Sequence, residues 1–225
     1  MIAKGFAVAI DGPVGVGKST TARLVAEKLG MAYIDTGAMY RTVALCMFER
    51  GVNLHDPAAV EAQLDTVNIA LKYENGLQHL YLNDRDVTMD IRTQAVSEGA
   101  SVVAAHGLVR EKLVAQQKKL AETGRVVMDG RDIGSFVLPW AQVKIYLDAD
   151  VEIRARRRVL DLEAKSQPAD FAEVLKETII RDDRDKNRKH SPLIQTVDAI
   201  CIDTGRMSAQ EVVTTIVEIV RRREQ

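Results

Sequence analysis

Gly12-Pro13-Val14-Gly15-Val16-Gly17-Lys18-Ser19 fits the pattern GxxxxGK[ST] without a gap, and its surroundings decide the fold. Ahead of it stands Phe6-Ala7-Val8-Ala9-Ile10, a continuous apolar run of the kind a strand buried on both faces requires. Behind it, Lys18 to Leu29 carries a helical pattern, and Gly30 is placed to take the left-handed conformation that ends a helix. Strand, glycine turn and helix in that order make a phosphate cradle. The glycines let backbone N–H groups turn inward around phosphate oxygens, where a Cβ would intrude. The helix offers its positive N-terminal end to the same anion. The spacing therefore assigns Gly12, Pro13, Val14, Gly15, Val16, Gly17, Lys18, Ser19 and Thr20 to the triphosphate of ATP or GTP. Lys18 reaches the β- and γ-phosphates, and the Ser19 hydroxyl can bind Mg²⁺.

Further apolar runs follow at Ala32–Ile34, Val126–Met128, Val143–Leu147 and Ala199–Ile202, with helical stretches between them. Strands alternating with helices predict a parallel sheet covered by helices, five strands in all. Two helix starts are marked as capping boxes, Asp170-x-x-Glu173 and Ser208-x-x-Glu211. In the last helix Val212, Val213, Ile216, Val217 and Val220 form the inward stripe. One segment breaks the alternation. Val67, Ile69, Leu71 and Tyr73 alternate with less apolar residues, Asn75-Gly76 is a strong hairpin signal, and Leu77 to Leu82 returns. This predicts a small antiparallel insert flanked by helices near residues 57–64 and 92–121, and such an insert beside a nucleotide site is a natural lid.

The totals set bounds. At 225 residues the chain has room for one sizeable α/β domain. Lys and Arg number 31 against 32 Asp and Glu, so global charge gives no reason to expect nucleic acid or an acidic membrane as partner. Cys46 and Cys201 stand apart and read as reduced thiols, and the four histidines form no metal-ligand pattern. No apolar run approaches membrane length, and the N-terminus shows no signal-peptide architecture, so a cytoplasmic protein is expected.

A GTPase would show NKxD and DxxG, and a transporter-type ATPase LSGGQ; none of these occurs. Instead the strand ends carry Asp35–Arg41, Asp129-Gly130-Arg131-Asp132, Arg154–Arg158 and Arg181–Arg188. Charge runs on helices are usually solvated faces, and Arg154–Arg158 taken alone reads that way. Asp129–Asp132 directly follows an apolar strand, the place for an acid that orients Mg²⁺.

Taken in order, IDGPxGxGKST, YIDTGAMYR, MDGRDIG, RARRR and RDDRDKNRKHSPL resemble bacterial cytidylate kinases along the whole chain. The resemblance implies a three-layer P-loop α/β fold with a five-stranded parallel sheet. It also implies a monophosphate-binding insert at about 57–95 and a short Arg-rich lid at about 150–170. The activity implied is transfer of the γ-phosphoryl group of ATP to CMP or dCMP, with Mg²⁺, by a monomer. Rival readings are a kinase of UMP or AMP and a non-catalytic ATP-binding regulator.

Residue by residue, the resemblance places Thr36, Tyr40, Arg41 and Arg131 in the acceptor pocket. Ser101, Arg110 and Asp132 match the positions that read the base. On their own Ser101 and Arg110 would pass for helix-surface residues. Arg181, Asp185 and Arg188 match sugar and phosphate contacts, with Asp185 on a ribose hydroxyl. Lys18, Arg131, Arg181, Arg188 and the lid residue Arg157 would stabilise the transferring group. Asp35 and Asp129 would orient Mg²⁺ through water.

Overall fold

The apolar run before the glycine turn becomes strand β1 (Ala7–Asp11), every residue of it buried, and the turn leads into helix α1 (Lys18–Leu29). Gly30 ends α1 at φ 60°, ψ 39°, the left-handed cap its position predicts. Strand β2 (Ala32–Asp35) runs into α2 (Thr36–Glu49), and α3 (Pro57–Glu61) follows with Pro57 in its first turn. The antiparallel segment comprises β3 (Ile69–Glu74), β4 (Leu77–Leu82) and the two-residue β5 (Arg85–Asp86). Next come α4 (Gln94–Val103), α5 (Gly107–Ala121), β6 (Val126–Gly130), β7 (Val143–Asp148), α6 (Val151–Glu163), α7 (Phe171–Asn187), β8 (Ile200–Asp203) and α8 (Ala209–Glu224). The structure, a computed structural model, describes residues 5–74, 77–122, 124–164 and 166–225. The hairpin signal Asn75-Gly76 lies outside the described residues.

Two compact units result, one built from the segments up to Tyr33 and from Ala121 onward, the other from Ile34–Leu120. Five parallel strands lie in the order β2-β6-β1-β7-β8, with β6, β1, β7 and β8 wholly in the first unit. The chain leaves β1 for β2 on one side and later returns to place β7 on the other, so the order reverses at β1. Ligands of open α/β sheets bind at such a point, outside the carboxyl ends of the strands. The register puts Ile10 beside Asp129 and Asp11 beside Gly130, so the glycine turn and the Asp129–Asp132 group leave the sheet as neighbours. Helices α1 and α8 pack together, and the stripe of Val212, Val213, Ile216, Val217 and Val220 is buried in one cluster with Val25 and Ala26 of α1 and Ile145 of β7. Ser208 and Glu211 complete a reciprocal capping box at the start of α8, while Asp170 caps α7 through the Glu173 amide. Among the described residues no helix is long and apolar enough to cross a membrane.

The second unit holds the three-stranded antiparallel sheet, order β3-β4-β5, on a core that includes Val43, Met47, Leu80, Leu82, Val96 and Leu113. Here the sequence reading needs correction. The single helix expected over 92–121 is two, broken at residues 104–106. The break follows from tight i→i+3 bonds from Ala105 to Val102 and from His106 to Val103. The His106 ring nitrogen Nε2, 2.8 Å from the Leu54 carbonyl, pins the turn, and Gly107, a poor helix former, restarts the chain.

Candidate functional site

Gly12, Gly15 and Gly17 of the turn all have positive φ. At Gly12 (φ 151°) a Cβ would stand 2.1 Å from the Leu147 carbonyl oxygen, so the turn starts flush against β7. Gly17 forms the N-cap of α1, and no side chain caps that end or puts an acid in its first turn. The N–H groups there are left to an anion. Lys18 is 6% exposed, and its Nζ donates to the Pro13 carbonyl at 2.6 Å. Burial first, then the charge of Arg131, holds its ammonium well below the usual lysine range, although Asp129 and Asp185 pull the other way. An incoming polyphosphate reverses that balance. Ser19 Oγ donates to Asp129 Oδ2 at 2.9 Å, and the Tyr33 hydroxyl to Asp129 Oδ1 at 3.0 Å. The Ser19 hydroxyl is thus aimed at the carboxylate, although Ser19, like Thr20, is exposed.

Beyond β6 the Arg–Asp groups pair. Arg131 Nε donates to Asp185 Oδ2 at 2.7 Å, and Arg188 Nη2 to Asp132 Oδ1 at 3.2 Å. Asp132 and Asp185 are both buried, and Arg188 also donates from Nε to the Ser191 carbonyl at 2.7 Å. Burial alone would lift the Asp185 carboxyl, but Arg131, Arg181 and Arg188 together hold it below the usual range. Arg181 lies one turn before Asp185 on the same face of α7. Asp11, which the sequence reading passed over, completes this part. Its carboxylate accepts from the backbone of Ile133 (2.8 Å) and Gly134 (2.7 Å), so it fixes the turn that follows Asp132. Burial pushes Asp11 up to about 7 against those two amides.

In the unit of Ile34–Leu120, Thr36, Tyr40 and Arg41 lie on α2, Ser101 on α4 and Arg110 on α5. Asp35 caps α2 through the Ala38 amide (2.8 Å) and pairs with Arg41 (2.8 Å), so a water bridging it to a metal would have to share oxygens already engaged. The Asp35 amide donates to Gln78 of β4 at 3.0 Å, tying the antiparallel sheet to the start of α2. Ser101 and Arg110 are not on the surface, as reading them alone suggested: they are 7% and 3% exposed. Arg110 turns back to the carbonyl of Ala104 (3.3 Å), which the end of α4 leaves unpaired within the helix, and its guanidinium lies 5.6 Å from the Tyr40 ring centroid. The break at 104–106 creates that position.

The arginine stretch Arg154–Arg158 lies within α6. The solvated-face reading holds for Arg156 but not for Arg154, which is 5% exposed and paired with Asp182. Arg157 donates to Thr204 Oγ1 (3.0 Å) and to the Thr204 carbonyl (2.6 Å). A cleft of about 180 Å³ opens beside the ends of β7 and β8, lined by Asp148, Ala149, Asp150, Cys201 and Asp203. Three carboxylates make it a poor seat for a phosphate, and no candidate residue lines it. Among the described residues no group of three or more His, Cys, Asp or Glu is arranged to hold a metal ion.

Comparison with known proteins adds the following. The family model described as cytidylate kinase matches residues 8–222. The cytidylate kinase of Shouchella clausii is 46% identical over 220 residues, covering 98% of each chain. That of Geobacillus kaustophilus is 50% identical over 219 residues, covering 97% of each. Among solved structures, TT1252 from Thermus thermophilus matches with a TM-score of 0.50 and 15% identity over 98% of both chains, a likeness of fold alone.

Proposed function

The chain belongs to the cytidylate kinase family, and from that membership we propose that it transfers the γ-phosphoryl group of ATP to CMP or dCMP, giving ADP and CDP or dCDP. The observation that carries the reading is the pairing of a glycine cradle holding Lys18 with buried Arg131–Asp185 and Arg188–Asp132 pairs in one compact unit. A triphosphate fits the cradle. Guanidinium groups already aligned on carboxylates suit a second, smaller anion.

In the reaction a phosphate oxygen of CMP attacks the γ-phosphorus in line, the bond to the β-phosphate oxygen breaks, and ADP leaves. The acceptor phosphate is largely ionised at neutral pH, so no general base is assigned. Lys18, the cradle amides, Arg131, Arg181, Arg188 and Arg157 act by positioning and by offsetting charge on the equatorial oxygens. The Ser19 hydroxyl and the Asp129 carboxylate are hard oxygen donors 2.9 Å apart, a set that fits Mg²⁺ arriving with ATP. When bound, the ion neutralises β- and γ-phosphate charge. Asp35 is a further water-mediated candidate.

For the acceptor, the resemblance assigns Thr36, Tyr40, Arg41, Ser101 and Arg110 in one unit and Arg131, Asp132, Arg181, Asp185 and Arg188 in the other. Asp132 accepts from the N4 amino group of cytosine, and Arg110 or Ser101 donates to N3. Uracil reverses both groups and would leave a buried carboxylate facing an acceptor oxygen. Residues 57–95 are taken as the monophosphate-binding insert and 150–170 as the lid. A cytoplasmic location follows from the sequence reading, and a monomeric state from the resemblance alone.

The test is ADP release from Mg·ATP with CMP, dCMP, UMP and AMP offered separately. CMP and dCMP should outrun UMP by at least tenfold, about 1.4 kcal/mol of discrimination. Asp132→Ala should narrow that gap. Equal rates with all four acceptors would defeat the cytosine-reading assignment.

A further inference from the structure

The peptide joining Pro13 to Val14 is held at both ends. Its carbonyl accepts from Lys18 Nζ at 2.6 Å, and its N–H donates to Asp182 Oδ1 at 3.2 Å. The following carbonyl, that of Val14, accepts from Arg154 Nη1 at 2.9 Å. Arg154 Nη1 in turn lies 2.7 Å from Asp182 Oδ2. The N–H and C=O of Val14 therefore close a ring with a single ion pair, one member from α6 and one from α7. Arg154 is steadied by a third bond, from Nε to the Ala149 carbonyl at 2.9 Å. Both charged residues are nearly withdrawn from solvent, at 5% and 6% exposure. Gly15 presses on the same place: with φ +76°, a Cβ there would stand 3.2 Å from Arg154 Cβ and 3.3 Å from the Arg154 carbonyl oxygen.

A buried ion pair is seldom a net gain in stability over apolar packing, so its place against the cradle invites a reason other than folding energy. We propose that Asp182 and Arg154 are positioning residues for the nucleotide donor: their ion pair fixes both peptide groups of Val14 and thereby the shape of the glycine cradle, without touching ATP. The proposal rests on reading residues 12–19 as the ATP cradle. The Arg154 guanidinium is committed to Asp182, Val14 and Ala149 and so takes no part as a phosphate ligand. Neutralised by its partner, Arg154 adds no free positive charge. The two members should thus matter equally.

The opposite view, that Arg154 binds phosphate directly, makes a different forecast. Removing the Asp182 charge would then free the arginine and tighten ATP binding. The experiment compares wild type, Asp182→Asn and Arg154→Met by steady-state kinetics and by titration with a fluorescent ATP analogue in the absence of CMP. Both variants should raise KM for ATP and the analogue's dissociation constant at least tenfold, with KM for CMP within twofold of wild type. Arg154→Lys, which keeps the charge but loses the fork to Val14, should lie between. Unchanged or tighter ATP binding in Asp182→Asn overturns the proposal, as does a parallel rise in both KM values. Circular dichroism showing that neither variant folds also overturns it, since the pair would then serve the fold. A wild-type protein that binds no ATP analogue defeats the cradle reading itself, whereas binding by wild type that both variants match defeats this proposal alone.

Discussion

Lys18→Met should fold normally and lose about a thousandfold in kcat/KM for CMP phosphorylation, ~4 kcal/mol of transition-state stabilisation. The size follows from where the ammonium sits. Lys18 is 6% exposed, at the start of α1, among Arg131, Arg181, Asp129 and Asp185, with its Nζ resting on the Pro13 carbonyl. In a site from which water is excluded, a charge aimed at oxygens that gain charge in the reaction is worth far more than in bulk water. Methionine keeps the length and apolar stem of the side chain, so packing around α1 survives and the loss falls on the chemistry. Thermal unfolding by circular dichroism should stay close to wild type while kcat/KM falls. A loss of less than tenfold would remove Lys18 from the central role given to it here.

Asp185→Ala should lower folding stability by about 3 kcal/mol near neutral pH, the lower end of what leaving one member of a buried ion pair alone costs. The Arg131 side chain retains 18% exposure, which keeps the figure at that end, while Asp185 retains 7%. The pH dependence has a definite sign. The carboxyl of Asp185 is held below its ordinary range in the folded state by Arg131, Arg181 and Arg188, which outweigh burial. Its stabilisation is therefore present above the unfolded carboxylate pKa and lost as pH falls through the lower, folded value. Urea unfolding should show a wild-type advantage near neutral pH that shrinks in acid. An advantage under about 1 kcal/mol at neutral pH, or one that grows in acid, would mean the Arg131 charge is satisfied without Asp185.

How legible all this is from the sequence depends on how local the physics is. The glycine turn, helix α1 from Lys18 to Leu29 and its Gly30 cap are fixed by residues within one turn of each other, so sequence and structure agree on their bounds. The stripe on α8 and its capping box belong to the same class. Helix periodicity does not reveal which arginine of Arg154–Arg158 turns inward, because the answer lies with Asp182 on another helix. Ser101 and Arg110 failed for a related reason: a long helical pattern hid the break at 104–106 that sends Arg110 back to the Ala104 carbonyl. Asp11 was passed over because a carboxylate at a strand end looks like any other until its two amide donors, contributed by the turn after β6, come into place. Strand ends moved by a residue, as with β1 running to Asp11 instead of stopping at Ile10.

Direct transfer between two nucleotides held at once is the claim on which the account stands, and initial rates measured while ATP and CMP are varied against each other test it most directly. The account predicts double-reciprocal lines that intersect, with ADP formation dependent on CMP. Parallel lines, the mark of a phosphorylated enzyme acting with one nucleotide at a time, or ADP formed equally fast without CMP, would contradict it.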